Sequence, residues 1–261
     1  MKSIGRWLLW VVLAGLALQL FFVLRVALMV VIDPQSTAFM RSEAWRVAGQ
    51  SLRSDKDWRW SAQWVDYDQI SPHLKRAVMA SEDAGFAEHD GVDWSAIEAA
   101  WVKNEKRLEQ VEKRTAQLER KLAKKPEAAE AAIKAIKPPK VIGGSTITQQ
   151  LAKNLLLSGE RNLLRKGQEL VLALTLDALL SKQRILEIYL NSVEWGEGVF
   201  GAEAAAQRYF KKPAAKLSAY EAARLAVMLP SPKFFETRQG SAYLARRTGT
   251  IVARMGAVQA P

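Results

Sequence analysis

An apolar stretch near the N-terminus restricts most strongly what this chain can fold into. Residues 7–24 are eighteen consecutive uncharged and almost wholly apolar residues, which as a helix would extend about 27 Å at ~1.5 Å per residue. That length is close to the hydrocarbon thickness of a bilayer. Lys2 and Arg6 precede the stretch, and Arg25 can snorkel at its far end. We therefore predict that residues 1–32 form a cytoplasmic tail and a single transmembrane anchor.

A cleaved signal peptide is the alternative interpretation of this stretch. The apolar run continues past the small residues at 14–17 that could precede a cleavage site, which favours an uncleaved anchor. Arg25, Arg41 and Arg46 lie beyond the span and weaken the positive-inside argument for its orientation.

The charge and residue content narrow the classes of partner and chemistry. The chain has 261 residues, a formal net charge of +11, two histidines and no cysteine. The positive charge predicts an anionic partner, either nucleic acid, an anionic membrane surface or a phosphate-bearing substrate. A membrane tether argues against nucleic acid. The lack of cysteine excludes disulfides, zinc-thiolate sites and cysteine nucleophiles, and two histidines cannot form a His-rich metal site.

The stretch from Ser71 to Asp93 carries the first candidate for catalysis. Ser71 followed by Pro72 predicts a helix N-cap with proline at the first helical position. The apolar helix that follows ends in the adjacent carboxylates Glu82 and Asp83. Apolar neighbours raise the pKa of a carboxyl group, as a general acid or base near neutral pH requires. The alternative is an acidic pair on a solvated helix end.

A row of polar residues in VIGGSTITQQLAKN, residues 141–154, is typical of a binding surface for a polyhydroxylated or amide-bearing ligand. A turn followed by a helix N-cap would explain the Gly-Gly-Ser-Thr part equally well. The segment lacks the P-loop pattern, which disfavours a nucleotide site. The candidate binding residues here are Ser145, Gln149, Gln150 and Lys153.

Cations accumulate in the following segment. Lys153, Arg161, Arg165 and Lys166 lie within fourteen residues, and Glu169 follows Arg165 by four. Arginine and lysine are the usual groups that hold a diphosphate and stabilise its charge as it leaves. An ordinary basic helix start is the alternative. The helix is predicted to run to about Leu180, and because residues 170–180 are apolar nearly all round, we expect it to be buried at the centre of the domain.

The remaining segments are predicted to be mainly structural. Residues 35–70 include the alternating WRWSAQWVDY and are interpreted as a short strand or an extended connector. Residues 102–140 carry twelve Lys or Arg and six Asp or Glu, with apolar residues at heptad-like spacing broken by Pro126, and predict a charged helical hairpin. A helix is expected over residues 182–190, and Ser218 with Glu221 forms a capping box for another that ends at Pro230.

Five of these segments together resemble a known family. They are EDAGFAEHDGVD, GGSTITQQLAKN, RKGQE, RILEIYLNSVEWGEGVFGAEAAAQRYF and LSAYEAARLAVMLPSP. In order and approximate spacing they are similar to the five motifs of the peptidoglycan glycosyltransferases of family 51. The resemblance covers roughly residues 34–256. It departs from the family pattern at the 102–140 hairpin, which is longer than the expected linker between the first two motifs.

The resemblance implies a fold and a reaction. The fold is mainly α, a lysozyme-like glycosyltransferase domain with a large head and a smaller membrane-proximal jaw, here over residues 33–261. The implied activity is polymerisation of lipid II into glycan strands with release of undecaprenyl diphosphate. A lysozyme-like hydrolase or lytic enzyme remains an alternative, although it would not need the cation cluster. A non-enzymatic membrane-anchored scaffold is a second alternative.

The family's functional residues match positions of this chain. Glu82 matches the catalytic glutamate, the general base for the acceptor 4-hydroxyl. Glu169 matches a second glutamate that organises the donor diphosphate. Other positions on the motifs are implied to line the donor and acceptor cleft: Asp83, Phe86, Ser145, Gln149, Gln150, Lys153, Arg161, Arg165 and Lys166.

The resemblance also implies partners and location. The substrates are lipid II and the growing glycan chain, the other partners are the membrane and further cell wall synthesis or division proteins, and nucleic acid is not expected. No cofactor is required, although a divalent cation, Mg²⁺ or Mn²⁺, is compatible with the diphosphate and Glu169. The chain is expected in the cell inner membrane, crossing it once, with the catalytic domain in the periplasm.

Overall fold

The structure, a computed structural model, describes residues 2–52, 59–122, 126–136, 138–139, 141, 143–157 and 162–261. It is mainly helical, as predicted, with one small sheet. The chain divides into two compact units, one of residues 1–92 and 146–261, the other of residues 93–145.

The first unit contains ten helices among the described residues, named here in chain order. They are α1 (Lys2–Leu28), α2 (Ala38–Ser51), α3 (Pro72–Glu82), α6 (Ile147–Leu156), α7 (Leu163–Leu179), α8 (Lys182–Ser192), α9 (Ala202–Phe210), α10 (Ala219–Met228), α11 (Pro232–Glu236) and α12 (Ala242–Arg254), where α4 and α5 belong to the second unit. Three short 3₁₀ turns lie at Tyr67–Gln69, Ala214–Lys216 and Met255–Ala257.

The anchor helix is confirmed as a helix of sufficient length and apolarity. Its span from Ser3 to Leu28 can cross a membrane by length and composition. Unlike an isolated anchor helix, α1 is buried in protein at its C-terminal end. Val26 is fully buried, and Met29, just beyond the helix, is 4 % exposed. Arg184 on α8 donates from Nε to the Met29 carbonyl at 2.8 Å and pairs with Asp33 at 2.7 Å. The end of the anchor is therefore part of the folded unit.

Several helix ends follow the sequence signals. The Ser71 hydroxyl accepts a hydrogen bond from the His73 amide, which places the N-cap of α3 as predicted. Ser218 and Glu221 form the predicted capping box of α10. The predicted helix over residues 182–190 is α8. The core of the unit forms where α10 packs against α3 and α12, and where α6 packs against α7, α8 and α2.

The interpretation of residues 35–70 as strand or connector is wrong for α2. Thr37 caps this helix by accepting from the Met40 amide at 2.9 Å. The sequence of this helix has little apolar periodicity, because only Met40 and Val47 face the core. Farther along, Ser61–Ala62 does form a short strand, β1, parallel to β3 (Val199–Phe200), which pairs antiparallel with β2 (Glu194–Gly196).

The expectation that residues 170–180 are buried all round is also wrong. Leu172, Ala173 and Leu176 are buried, but Val171 is 47 % and Leu174 43 % exposed. The helix α7 packs beside α1, joined by a hydrogen bond from Gln19 to Gln168 of 2.6 Å. Apolar composition cannot distinguish burial in protein from contact with lipid, because both environments favour the same side chains.

The second unit contains α4 (Trp94–Lys121) and α5 (Pro126–Lys134), which pack against each other. Asp93 caps α4 by accepting from the Ala96 amide at 2.8 Å. The helix begins before the predicted hairpin boundary at 102. Pro126 is the first residue of α5, a position that proline favours because its missing amide hydrogen would have no helical partner there.

Candidate active site

Glu82 is the last residue of α3, and it is half-buried. Its carboxylate accepts hydrogen bonds from Gln150 Nε2 at 3.2 Å and from the Ser81 hydroxyl at 3.3 Å. Burial raises the pKa of Glu82 above its ordinary value, and the two hydrogen bonds oppose that rise because they stabilise the anion. Glu82 thus has the environment that a general base working near neutral pH requires.

Gln150 is held in turn by Tyr189. The Tyr189 hydroxyl donates to Gln150 Oε1 at 3.0 Å, and the tyrosine is 1 % exposed. With its oxygen occupied, the amide of Gln150 presents its nitrogen to Glu82. Sequence analysis did not single out Tyr189, although it lies in the RILEIYLNS segment that carries the family resemblance.

Asp83 has a different environment from its neighbour Glu82. Its carboxylate is buried, with both oxygens 3.1 Å from His89 Nε2, and one of them accepts from the Ile147 amide at 2.9 Å. Ile147 is the first residue of α6, so Asp83 joins the end of α3 to the start of α6. Phe86 is fully buried and contacts the His89 ring edge-on with centroids 6.3 Å apart. Asp83 and Phe86 thus both contact His89 in the buried interior next to Glu82.

Gln149 also has a structural contact. Its side chain accepts from the Thr146 amide at 3.1 Å, while the Thr146 hydroxyl accepts from the Gln149 amide, a reciprocal capping box at the start of α6. The Thr146 hydroxyl donates to the Gly91 carbonyl at 2.6 Å. Gly91 has φ +79°, and a Cβ there would lie 2.9 Å from the Ala173 carbonyl oxygen, so only glycine fits. These contacts fix α6 against the loop that follows α3.

The cation cluster lies at the start of α7. Asn162 caps this helix by accepting from the Arg165 amide at 2.7 Å. Buried Glu169 pairs with Arg165 Nη1 at 3.0 Å through one oxygen and with Lys166 through the other. Arg165 Nε is buried and has no hydrogen-bond partner among the described residues. A buried guanidinium donor of this kind can be satisfied by an anionic ligand.

A cavity of about 360 Å³ connects these elements. Three of the predicted binding residues, Gln150, Lys153 and Arg165, lie in its wall. Ser145 belongs to the unit of residues 93–145. Arg161 lies outside the described residues. The rest of the wall includes polar Ser42, Asn154, Tyr189 and Glu194, with apolar Phe39, Leu157, Val193, Leu229 and Pro232.

Glu194 is a second carboxyl group in this wall. Burial raises its pKa to about 7, against the opposing charge of Lys233, whose Nζ lies 3.4 Å away. Lys233 also pairs with Glu43 on α2 at 2.5 Å. Ion pairs therefore join α2, α11 and β2 next to the cavity wall.

A divalent cation shared by Glu169 and the donor diphosphate stays a prediction. Both Glu169 oxygens already engage Arg165 and Lys166. Within the described residues no group of three or more His, Asp or Glu side chains is placed to hold a metal ion.

In this mainly helical domain, a carboxyl group with a raised pKa, Glu82, is joined through Gln150 to a cavity lined by Lys153 and Arg165. A family model described as transglycosylase matches residues 49–127 and 123–256. The chain belongs to this transglycosylase family, whose domain is lysozyme-like and mainly helical.

Curated relatives match the chain over its whole length. It is 48 % identical over 264 residues to the biosynthetic peptidoglycan transglycosylase of Burkholderia pseudomallei strain K96243, covering 100 % of this chain and 90 % of that protein. The protein of the same name from Burkholderia thailandensis is also 48 % identical, with the same coverage. That of Burkholderia orbicola strain MC0-3 is 47 % identical over 99 % of this chain and 94 % of its own length.

Proposed function

We propose that this chain is a peptidoglycan glycosyltransferase that polymerises lipid II into glycan strands and releases undecaprenyl diphosphate. The observation that carries the proposal is the link between Glu82 and the cavity. Gln150 donates to the Glu82 carboxylate and also lines the cavity that contains Lys153 and Arg165. The side chain of Gln150 thus connects the proposed base to the proposed phosphate-binding surface.

The proposed reaction is an inverting displacement. Glu82 removes the proton from the 4-hydroxyl of the acceptor sugar, and the hydroxyl oxygen attacks the anomeric carbon of the donor. The bond between that carbon and the diphosphate oxygen breaks as the new glycosidic bond forms. The diphosphate leaves with its electron pair, and its charge is stabilised by Lys153, Arg165 and Lys166.

Glu169 is proposed to organise the cations that hold the donor. It is 3 % exposed and pairs with both Arg165 and Lys166. These ion pairs orient the guanidinium so that the buried Arg165 Nε, which lacks a hydrogen-bond partner among the described residues, can donate to a phosphate oxygen. Asp83 and Phe86 support the site by holding the loop that follows α3 and the start of α6.

We propose further that α1 crosses the inner membrane once and leaves the catalytic domain in the periplasm. Support comes from its apolar length and from Lys2 and Arg6 at its start. The substrate carries its sugars on a lipid, so an anchored enzyme remains at the surface where the substrate is displayed.

The test is incubation of the purified full chain in detergent with lipid II. We expect polymer that a muramidase degrades, together with released undecaprenyl diphosphate. Hydrolysis of existing glycan without polymerisation of lipid II would favour the lytic alternative and overturn the proposal.

A further inference from the structure

A second cavity lies where the anchor ends, between the last turn of α1 and the start of α2. It has a volume of about 270 Å³. Arg25 and Arg41 both lie in its wall, and Leu28, Met29 and Ile32 form its apolar part. All of these residues belong to the first unit. The cavity combines two guanidinium groups with an apolar surface.

Two arginines and one aspartate line this cavity, so its wall carries a net positive charge. Among the described residues that line it, Asp33 is the acidic one, and it pairs with Arg184 at 2.7 Å. Within the described part of the chain, no ion pair involves Arg25 or Arg41. Arg41 directs Nη1 to the Ser36 carbonyl at 3.2 Å and the Ser36 hydroxyl at 3.1 Å, which orients its guanidinium. The site is thus arranged to accept an anion.

The position of the cavity indicates which anion it would meet. Arg25 lies in the last turn of the helix that is long and apolar enough to cross a membrane. The residues after the helix remain apolar and exposed, with Val30 52 % and Val31 81 % accessible. Arginines at the end of a membrane span lie at the depth of the lipid headgroups, where phosphates are the abundant anions.

We infer that this cavity binds the phosphate group of a membrane lipid between the guanidinium groups of Arg25 and Arg41. The apolar wall of Leu28, Met29 and Ile32 contacts the upper part of an acyl chain. Guanidinium groups bind phosphate oxygens through paired, charge-assisted hydrogen bonds, which gives such a site preference for phosphate over neutral headgroups. The inference rests on α1 crossing the membrane and does not require that the chain transfers sugars.

The experiment counts lipids retained by the full-length protein in native mass spectrometry after release from detergent. The probes are phosphatidylglycerol, a glucosyl diacylglycerol that lacks phosphate, and inorganic phosphate alone. The variant is Arg25→Gln/Arg41→Gln. A matched control, Arg246→Gln/Arg254→Gln, removes two exposed arginines from α12. Arg25→Lys/Arg41→Lys keeps the charge without the paired donors.

We expect the wild type and the α12 control to retain phosphatidylglycerol on the order of tenfold better than Arg25→Gln/Arg41→Gln, with the lysine variant between them. The glucosyl lipid should show no such difference. Equal retention of phosphatidylglycerol by all four proteins would overturn the inference. So would inorganic phosphate that binds as well as the lipid, since the ligand would then be a free anion.

Thermal unfolding of each variant in detergent separates a lost site from a lost fold. Polymerisation of detergent-dispersed lipid II serves as a separate readout. A protein that binds phosphatidylglycerol but forms no polymer would contradict the proposed function alone, whereas a polymerising protein with unchanged lipid retention in the arginine variant would contradict the cavity alone.

Discussion

The side-chain amide of Gln150 donates a hydrogen bond to the carboxylate of Glu82 over 3.2 Å, although the two residues are 68 positions apart in the chain. Gln150 also lines the cavity with Lys153 and Arg165, and Tyr189 holds its amide oxygen. A chain of two hydrogen bonds therefore runs from a buried tyrosine to the proposed base.

The first prediction concerns the base. Glu82→Gln keeps the size of the side chain but cannot accept a proton, so turnover of lipid II should fall by about 10²- to 10⁴-fold. Binding of lipid II should be retained. Glu88→Gln, which changes an exposed glutamate six residues away, is the control. Near wild-type polymerisation by Glu82→Gln would show that the base is another group.

The second prediction concerns the pH profile. Burial raises the pKa of Glu82, and the hydrogen bond from Gln150 lowers it. The base must be ionised, so the acidic limb of kcat/KM should lie above the ordinary glutamate pKa. Gln150→Ala removes a stabilising contact of the anion and should move that limb to higher pH. Tyr189→Phe, which only releases the Gln150 amide, should move it less and in the same direction. If neither substitution moves the acidic limb of kcat/KM, the assignment of Glu82 as the base is contradicted.

The third prediction concerns donor binding. Glu169→Gln removes the charge that pairs with Arg165 and Lys166, so the cations lose their orientation. We expect KM for lipid II to rise more than kcat falls, because the change weakens donor engagement and leaves the base intact. Glu109→Gln is the control, since Glu109 pairs with Lys113 at the same helical spacing on an exposed surface. A pure loss of kcat would instead place Glu169 in proton transfer.

The fourth prediction concerns stability and Glu194. Its pKa is about 7 in the folded protein, above the ordinary glutamate value of about 4.3. A carboxyl group whose folded pKa is raised costs no stability below the unfolded pKa. The cost grows as pH rises to the folded pKa and is constant above it. Glu194→Gln removes this cost, so its stability relative to wild type should increase between about pH 4.3 and 7 by at most roughly 3 kcal/mol.

Urea unfolding of both proteins at several pH values measures that difference. The attraction of Lys233 for the ionised carboxylate is already contained in the folded pKa of about 7, so its loss in the variant needs no separate correction. A difference that stays level across the window would mean that Glu194 ionises in the folded protein as it does in the unfolded chain.

The fifth prediction concerns the anchor. A protein that begins at residue 33 lacks buried Val26 and Met29 and the contact of Arg184 with the Met29 carbonyl. We expect it to be less stable by about 3 to 6 kcal/mol, because burying each of two apolar side chains contributes about 1.5 to 3 kcal/mol. A protein that begins at residue 24 should keep both the stability and the activity on detergent-dispersed lipid II. Equal melting temperatures for the two would show that residues 26–29 do not stabilise the domain.

Local signals in the sequence were reliable where one segment determines its own structure. The N-cap at Ser71, the capping box of Ser218 and Glu221, and the helix after Ser181 involve contacts within a few residues. The apolar run of α1 is equally local, because a helix satisfies its own backbone hydrogen bonds wherever it lies. Such features depend little on the rest of the chain.

The two wrong interpretations have a common physical origin. In α2 only two residues are buried, so the helix depends on contacts with α6 that its own sequence does not reveal. In α7 the exposed face, with Val171 and Leu174, is as apolar as the buried one, with Leu172 and Leu176. The hydrophobic pattern of a segment indicates that its surroundings are apolar. It does not indicate whether those surroundings are protein or lipid.

The sequence by itself determined the helical class, the anchor, the five ordered motifs and the candidates Glu82 and Glu169. The residue types alone could not separate Glu82 from the adjacent and chemically similar Asp83, and only the family resemblance assigned the base to Glu82. Only the tertiary structure decided that Asp83 faces His89 and the start of α6, while Glu82 faces Gln150. The physical reason is that each carboxylate's pKa and task depend on burial and hydrogen-bond donors from α6 and from the loop after α3, which only folding brings together.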